Sequence, residues 1–315
     1  MTSYVLRRLM QMIPVVLIAS LGIWAMIYAV PGGPVGVIVG ENATPEQVAA
    51  ARAELGLDRP IAVQYLEWLG GAVRGDLGTS IHSREPVAKL IGERLPATLQ
   101  LAFMATVIAV GLGIPIAVVS ALRPGTWIDR ALSGWNALAL GVPTFWLGIL
   151  LILLFAVELR VLPSASQYHP LWRDPIEALR HLILPALTLG LYVSGVLARF
   201  LRASLVSQLN ADYVRTARSK GLPEGQIVRT HIMRNALLPF ITIVGLMMAV
   251  FIGGAVVTEA VFTYPGLGRL LIQAISTRDY PLIQGCIVII LMIYIAINLA
   301  VDVLYAYVDP RIEYD

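Results

Sequence analysis

Long stretches without charge dominate the hydrophobic pattern of this chain. Its 23 Lys and Arg and 20 Asp and Glu residues all lie outside six windows, at 9–30, 98–122, 131–157, 182–198, 239–258 and 282–301. A helix needs roughly 17–25 mainly apolar residues to cross a bilayer, and each window is long enough. Six such windows in 315 residues argue against the buried helices of a soluble protein. The pattern therefore predicts an all-α, polytopic membrane protein with six transmembrane helices.

Basic residues between the windows predict the orientation. With the N terminus inside, the inside segments carry twelve Lys and Arg residues and the short outside segments carry five. The six basic residues of the long segment 31–97 are left out, because long loops are translocated largely regardless of charge. Cytoplasmic loops carry the excess of Lys and Arg, so both termini are predicted to lie inside (N-in/C-in).

The first window could belong to a signal peptide, since Arg7 and Arg8 precede it. Its 22 residues exceed the roughly 7–15 of a signal-peptide core, and no clear A-x-A site follows, so we interpret it as a retained helix. We divide the chain into an N-terminal segment with the first helix, an extracytoplasmic segment with short amphipathic helices, a core with the other five helices, and a cytoplasmic tail: 1–30, 31–97, 98–308 and 309–315. The core includes the cytoplasmic loop 199–238.

The segment 31–97 contains signals for two short helices. Thr44 and Gln47 have the spacing of an N-terminal capping pair, and Gly56 is typical of a helix end. Further along, Tyr65 and Trp68 lie on an amphipathic stretch, and such aromatic residues favour a membrane interface. Packing against the outer ends of the spanning helices is the interpretation we favour over a ligand site.

The inside segment 199–238 predicts a rigid helical elbow. Asp212 precedes Arg218 and Lys220 on a short helical stretch, the order of charges that the helix dipole favours. Gly221 is predicted to end this helix, and Pro223 to begin another. An ordinary basic loop would also orient the protein, but forty residues of helical pattern exceed that need.

The composition narrows the possible chemistry. Hydrophobic residues make up 57% of the chain and charged residues 14%, whereas soluble domains carry about 25% charged residues. The basic residues are scattered, so no nucleic-acid surface is predicted. Cys286 is the single cysteine, and no metal site is predicted from it. No phosphate-binding G-x-x-x-x-G-K-[ST] loop is found either.

Polar and charged residues near the windows have two interpretations. Asn136 and Asn298 lie inside windows and are candidates for lining a cavity, although hydrogen bonding between helices would also account for them. Charged residues also lie at the window edges, from where long side chains can reach the membrane interface. We expect this behaviour of Glu158, Arg199, Arg202, Glu259 and Asp302. We expect prolines within the windows, such as Pro143, to kink helices.

The cytoplasmic elbow resembles the EAA loop, which couples permease subunits to the ATPases of ATP-binding-cassette (ABC) importers. Ala217 and Gly221 match the second Ala and the Gly of that loop, whereas Arg215 replaces its Glu and Thr216 its first Ala. Peptide-type permeases commonly show these replacements. The resemblance implies that an ATPase contacts Asp212, Tyr213, Arg215, Thr216, Ala217, Arg218, Lys220, Gly221 and Leu222. The basic residues would fix the position of the loop on the ATPase, and Tyr213, Ala217 and Leu222 would fill a groove in the ATPase.

Other stretches resemble the same family in the expected order. The outer face would carry the motif of B-type permeases of dipeptide, oligopeptide and nickel importers, formed by Gly75, Asp76, Leu77, Gly78 and Ser80. A last outer loop is similar as well, through Tyr264, Pro265, Gly266, Gly268, Arg278, Asp279 and Tyr280. The resemblance implies the type I ABC importer permease fold.

The family implies a multisubunit importer in the bacterial cytoplasmic (inner) membrane. The expected partners are a second, C-type permease, two ATP-binding subunits, an extracytoplasmic substrate-binding protein and membrane lipid. No cofactor is expected in this chain, since ATP and Mg would be bound by the partner ATPases. The chain itself would be non-catalytic and would form an alternating-access pathway for di- or oligopeptides.

Two other classes remain as alternatives. A stand-alone secondary transporter would show inverted repeats, but the segments 31–97 and 199–238 have no counterparts. An intramembrane enzyme would need facing catalytic groups, and neither G-x-S-x-G nor H-E-x-x-H is present. Within the family, the substrate could also be a nickel chelate, glutathione or a sugar.

Overall fold

The computed structural model describes residues 2–29, 44–54 and 58–308. Within these ranges the chain is helical, and no β-strand is found there. The helices are α1 (Thr2–Ala29), α2 (Pro45–Glu54), α3 (Ile61–Val73), α4 (Val87–Leu122), α5 (Trp127–Gly141), α6 (Thr144–Leu151), α7 (Pro175–Leu209), α8 (Asp212–Ser219), α9 (Met233–Val261), α10 (Leu267–Ser276) and α11 (Tyr280–Val308). A π-helical segment, Ile152–Glu158, follows α6, and another, Ile227–Ile232, leads into α9.

The spanning helices confirm an all-α, multi-pass membrane protein. Four are long and apolar enough by themselves: Leu6–Met26 within α1, α4, α7, and Tyr280–Leu304 within α11. Two bent pairs complete a possible six, Trp127–Gly141 with Thr144–Glu158, and Glu224–Leu237 with Pro239–Phe251. The N-in/C-in orientation stays a prediction, and the tail 309–315 lies outside the described residues.

The third apolar window is broken rather than straight. The chain turns by 102° between α5 and α6. Proline disfavours helical backbone in the residue before it, and Val142 there is extended, with φ −85° and ψ 123°. Pro143 follows and lacks the N–H that would continue the ladder. The window 131–157 is therefore two helices at a steep angle, whereas Pro115 and Pro185 remain inside continuous helices.

Small residues allow α4 and α7 to form the centre of the bundle. A Cβ on Gly190 would lie 2.8 Å from Cγ2 of Ile108, and one on Gly113 would lie 3.1 Å from Cβ of Leu197. Such close approach is typical of helix pairs in membranes. Because residue numbers rise together along this contact, α4 and α7 are parallel. One end of the α4–α7 pair lies beside residue 87, where an isolated antiparallel bridge between Thr79 and Pro86 closes a short hairpin before α4; this is the hairpin end. The other end lies beside residue 209 and is the α8 end.

The two short helices of 31–97 form as predicted in the part that the structure describes. The backbone N–H of Thr44 donates to Oε1 of Gln47, and the Gln47 N–H donates to the Thr44 hydroxyl, which completes the capping pair. The Tyr65 hydroxyl lies 2.9 Å from the Ser20 hydroxyl on α1. This contact confirms packing of α3 against a spanning helix. Gly56, the predicted end of α2, lies outside the described residues.

Candidate functional site

Helix α8 packs onto the core of its own chain through one face. Val214 and Ala217 are buried there, in the same hydrophobic cluster as Leu205 of α7 and Ile227 and Ile232 of the π-helical segment. The spacing of three between Val214 and Ala217 places both on the same side of the helix. Helix α8 is thus held by direct contacts with the elements before and after it.

The other face of α8 is exposed and carries most of the predicted coupling residues. Asp212, Tyr213, Arg215 and Thr216 are all exposed. The Tyr213 hydroxyl donates to Oε1 of Gln208 at 2.7 Å, which orients the ring. This face offers aromatic and charged groups on a supported helix, and its composition suits a protein partner.

Two of the three residues predicted to fill a partner groove lie against the chain's own core. Ala217 is only 8% exposed and contacts the chain's own core. Leu222 is partly buried and packs against the same cluster. The small side chain of Ala217 thus allows α8 to approach its own chain closely. Of the three residues proposed to fill a groove, only Tyr213 has an exposed side chain.

Gly221 ends α8 as the sequence predicts. Its N–H donates to the Arg218 carbonyl at 2.9 Å, and the Leu222 N–H donates to the Ala217 carbonyl at 3.3 Å. These two bonds form a Schellman motif, which needs a left-handed residue, and Gly221 has φ +74°. Lys220 immediately before it is exposed.

An ion pair bridges the turn after α8. Nε of Arg218 lies 2.6 Å from Oε1 of Glu224, and both side chains are well exposed. Hydrogen bonding to this carboxylate raises the pKa of the Arg218 guanidinium further above its usual value, so Arg218 stays charged at physiological pH. Arg218 therefore has a partner within its own chain.

At the hairpin end, Gly75–Ser80 forms a tight turn before α4. Gly75 and Gly78 have φ +85° and +84°, a region that only glycine adopts readily. The Asp76 carboxylate accepts the Gly78 N–H at 2.9 Å. Leu77 is buried and joins a cluster with Val87 and Leu267. The motif is a structural turn that positions the start of α4.

Asp279 connects this turn to α11. Its buried carboxylate accepts hydrogen bonds from the Ser80 hydroxyl and from the Ile81 N–H, the latter at 3.2 Å. Its backbone carbonyl accepts the Ile283 N–H in the first turn of α11, after Arg278 at φ +55°. The two motifs, 199 residues apart in the chain, therefore form one junction, with Tyr280 buried at its base.

A buried carboxylate organises the stretch from Tyr264 to Gly268 of the predicted last outer loop. Glu259 is fully buried, accepts the Thr98 hydroxyl at 2.7 Å and accepts the Arg269 N–H at 3.0 Å. The Thr98 oxygen also accepts the Leu267 N–H at 2.8 Å. The carboxylate thus lies at the N terminus of α10, where the helix dipole favours negative charge.

Glycine at positions 266 and 268 makes this arrangement possible. A Cβ on Gly266 would overlap the Glu259 carboxylate, and one on Gly268 would overlap Val256. Tyr264 is buried next to them, and its burial, with the nearby Glu259 charge, raises the pKa of its hydroxyl above the usual value. Pro265 lies between Tyr264 and Gly266 in the chain.

The expectation that charged residues at the window edges reach the membrane interface is wrong for Glu259. It also omits the ion pairs that Arg202 and Asp302 form. Arg202 forms an ion pair of 3.1 Å with the buried Asp129, which also accepts the Ser120 hydroxyl. Asp302 pairs with Arg8 of α1 at 3.3 Å. Glu158 and Arg199 are exposed, as expected. Sequence position alone could not reveal these partners, because they lie on distant elements.

Among the cavities lined by described residues, two lie between the helices. One of about 330 Å³ adjoins the bend, with Pro143, Tyr192 and Phe251 in its wall. The other, of about 480 Å³, lies between α4, α9 and α11. Neither predicted polar residue is among those lining these two cavities. Instead, Oδ1 of Asn136 is buried without a hydrogen-bond partner among the described residues, and Asn298 is partly exposed.

Residues 2–29, 44–54 and 58–308 contain no group of three or more His, Cys, Asp and Glu side chains able to hold a metal ion. Cys286 is buried in α11 as a free thiol.

The helices, their bend and the supported α8 define a multi-pass permease of transport systems. Residues 113–314 match the family model of the binding-protein-dependent transport system inner membrane component, and residues 1–102 match its N-terminal companion. The chain belongs to this family and is a multi-pass protein of the bacterial inner membrane.

Relatives match the chain along its whole length. A putative peptide transport system permease protein of Brucella abortus is 44% identical over 315 residues, which is 100% of both chains. The glutathione transport system permease protein GsiC of Escherichia coli O6:H1 is 41% identical over 314 residues, again with 100% of both chains covered. The dipeptide transport system permease protein DppB of Alkalihalophilus pseudofirmus is 36% identical over 335 residues, also with full coverage of both.

Solved structures show the same fold. A chain of the inward-facing MetNI methionine ABC transporter superposes with a TM-score of 0.58 at 19% identity. The likeness covers 70% of this chain and 97% of that chain. The all-α fold of ABC importer permeases is therefore confirmed.

Proposed function

We propose that this chain is one of two permease subunits of an ATP-driven peptide importer. It would form, with a second permease, an alternating-access pathway for di- or oligopeptides. The observation that carries this proposal is the full-length similarity to permeases named for peptide, dipeptide and glutathione transport. Glutathione is itself a tripeptide, so the relative named for it keeps the proposal within one chemical class.

The ATPase would dock on the exposed face of α8. Tyr213 and Arg215 would contact it, while Val214 and Ala217 fix the helix to the permease. A push on α8 would then move α7 and α9 as rigid bodies. ATP and Mg would be bound by two partner ATPases, and this chain would supply no catalytic group.

The junction at the hairpin end would face the extracytoplasmic substrate-binding protein. The junction is rigid, because Asp279 and Glu259 tie the ends of α4, α9, α10 and α11 together. A rigid rim would transmit docking of the binding protein to the spanning helices. This orientation places both termini and α8 in the cytoplasm.

Uptake of labelled peptides tests the proposal. A strain lacking this gene would be complemented with the natural chain or with Arg215→Ala, which removes a charged side chain from the exposed face of α8. We expect the natural chain to restore uptake of di- or tripeptides and Arg215→Ala to lose most of it at equal membrane abundance. Arg130→Ala, at an exposed position on α5, is the matched control. Uptake that does not depend on the chain would contradict the proposed function.

A further inference from the structure

The cavity between α4, α9 and α11 is lined entirely by apolar residues. Val110 and Ile114 contribute from α4, Leu237 and Val244 from α9, and Ile297 and Leu304 from α11. Its volume of about 480 Å³ lies within the roughly 300–1,000 Å³ typical of ligand sites. A peptide backbone would find no hydrogen-bond partner here, and burying one unpaired is costly. The occupant must therefore be apolar where it fills the cavity.

Size argues against a helix as the occupant. A helix with side chains is about 10–12 Å wide and rises 5.4 Å per turn, so one turn alone fills roughly 500 Å³. A spanning helix of several turns could cover the open side of the cavity but could not enter it, whereas a single flexible acyl chain can lie within it. All the lining residues come from the spanning parts of their helices, where lipid is the solvent.

A basic residue continues the cavity face of α9 toward the α8 end. Leu237, Ile241, Val244 and Met248 line the cavity on both sides of the 48° bend within α9. Arg234 lies three residues before Leu237 and therefore on the same face of the helix. Arg234 is exposed, and its side chain has no ion-pair partner among the described residues. Lipid phosphates attract such arginines at the membrane surface.

A second arginine lies close to Arg234 in the chain. Arg229, in the π-helical segment before α9, is exposed as well. The acidic residue of α11 in this region, Asp302, already pairs with Arg8 at 3.3 Å. The negative charge beside the cavity is thus neutralised within the chain, whereas the arginines remain available to an external anion.

We propose that this cavity binds an anionic glycerophospholipid, with one acyl chain between α4, α9 and α11 and the phosphate at Arg234. The lipid belongs to the leaflet on the α8 side of the membrane. It would stabilise the start of α9, the element that follows α8 and the π-helical segment. The site depends on the membrane location of the chain and not on which substrate the importer carries.

Photocrosslinking tests this site in the assembled protein. The full-length chain, with the subunits that accompany it from the membrane, is placed in phosphatidylcholine nanodiscs. These contain a trace of phosphatidylglycerol with a photoreactive acyl chain. Crosslinks are mapped by mass spectrometry. We expect them within 237–248 and 297–304, and we expect unlabelled phosphatidylglycerol to compete better than phosphatidylcholine.

Two variants test the contributions of Arg234 and of the apolar cavity separately. Arg234→Gln should weaken competition by phosphatidylglycerol about fivefold, while the crosslinked positions stay the same. Val244→Trp should fill the cavity and reduce crosslinking of the photoreactive phosphatidylglycerol. Arg130→Gln, an exposed arginine on α5 at the same end of the bundle, should change neither result.

Three outcomes would overturn the proposal. Crosslinks outside α4, α9 and α11 would show that the cavity holds no acyl chain. Equal competition by the two lipids would remove the role of Arg234. A disulfide from Met248→Cys to a cysteine of another subunit would show that a protein partner covers the cavity.

Discussion

Glu259 holds the hairpin end together although its sequence position suggests a surface charge. Its carboxylate joins α9, where it originates, to Thr98 of α4 and to the first turn of α10. Buried groups of this kind stabilise only while their partners remain, because an unpaired donor in the interior costs about 1–3 kcal/mol.

Removal of this carboxylate should destabilise the protein. Glu259→Ala leaves the Thr98 hydroxyl and the Arg269 N–H without their acceptor, and we expect about 1–3 kcal/mol lower stability. Thermal unfolding of the purified protein in detergent measures the effect. Glu158→Ala, at an exposed acidic position, should unfold like the natural chain. Equal unfolding temperatures for both variants would show that the Glu259 contacts contribute nothing.

Gly221 is the second position where one residue decides local structure. Because its φ is +74°, Gly221→Ala should cost about 1–2 kcal/mol and loosen the end of α8. Gly225→Ala, at a glycine four residues later without positive φ, provides the control. Limited proteolysis of both variants should show faster cleavage near 221 only in the first. Indistinguishable cleavage would contradict the role assigned to the Schellman motif.

Helix α8 has two faces with separate tasks, and substitutions on them should differ in kind. Ala217→Trp should overpack the core, cost about 1–3 kcal/mol and lower the amount of folded protein in the membrane. Thr216→Trp, on the exposed face, should leave folding intact and reduce peptide uptake. Membrane abundance by immunoblotting and uptake distinguish the two. Normal abundance of Ala217→Trp would contradict burial of this face.

Apolar length and turn chemistry made the helices predictable. The charge-free windows correspond to spanning helices because burial in lipid requires that length, and Gly221 ends α8 because few other residues adopt its conformation. Partners distant in the chain could not be predicted. Ser80 and Asp279, for example, meet only through the fold. Nor could apolarity reveal that Pro143 turns the chain by 102°.

The predicted orientation of the whole molecule places α2 and α8 on opposite sides of the membrane. Single cysteines at Glu46→Cys and Gly225→Cys test it with a thiol reagent that does not cross membranes. We expect labelling of the first in intact cells and of the second only after permeabilisation. The natural chain should stay unlabelled in both, because Cys286 is fully buried. The reverse pattern would overturn the N-in/C-in orientation.

The proposed function requires that α8 is a docking helix for an ATPase. The most direct measurement is to purify the tagged chain from its native membrane in mild detergent and identify the proteins that accompany it by mass spectrometry. We expect a second permease and ATP-binding subunits with the natural chain, and loss of the ATP-binding subunits alone with Arg215→Ala. A stable chain that purifies alone or as a homo-oligomer would contradict the coupling role of α8 and favour a secondary transporter.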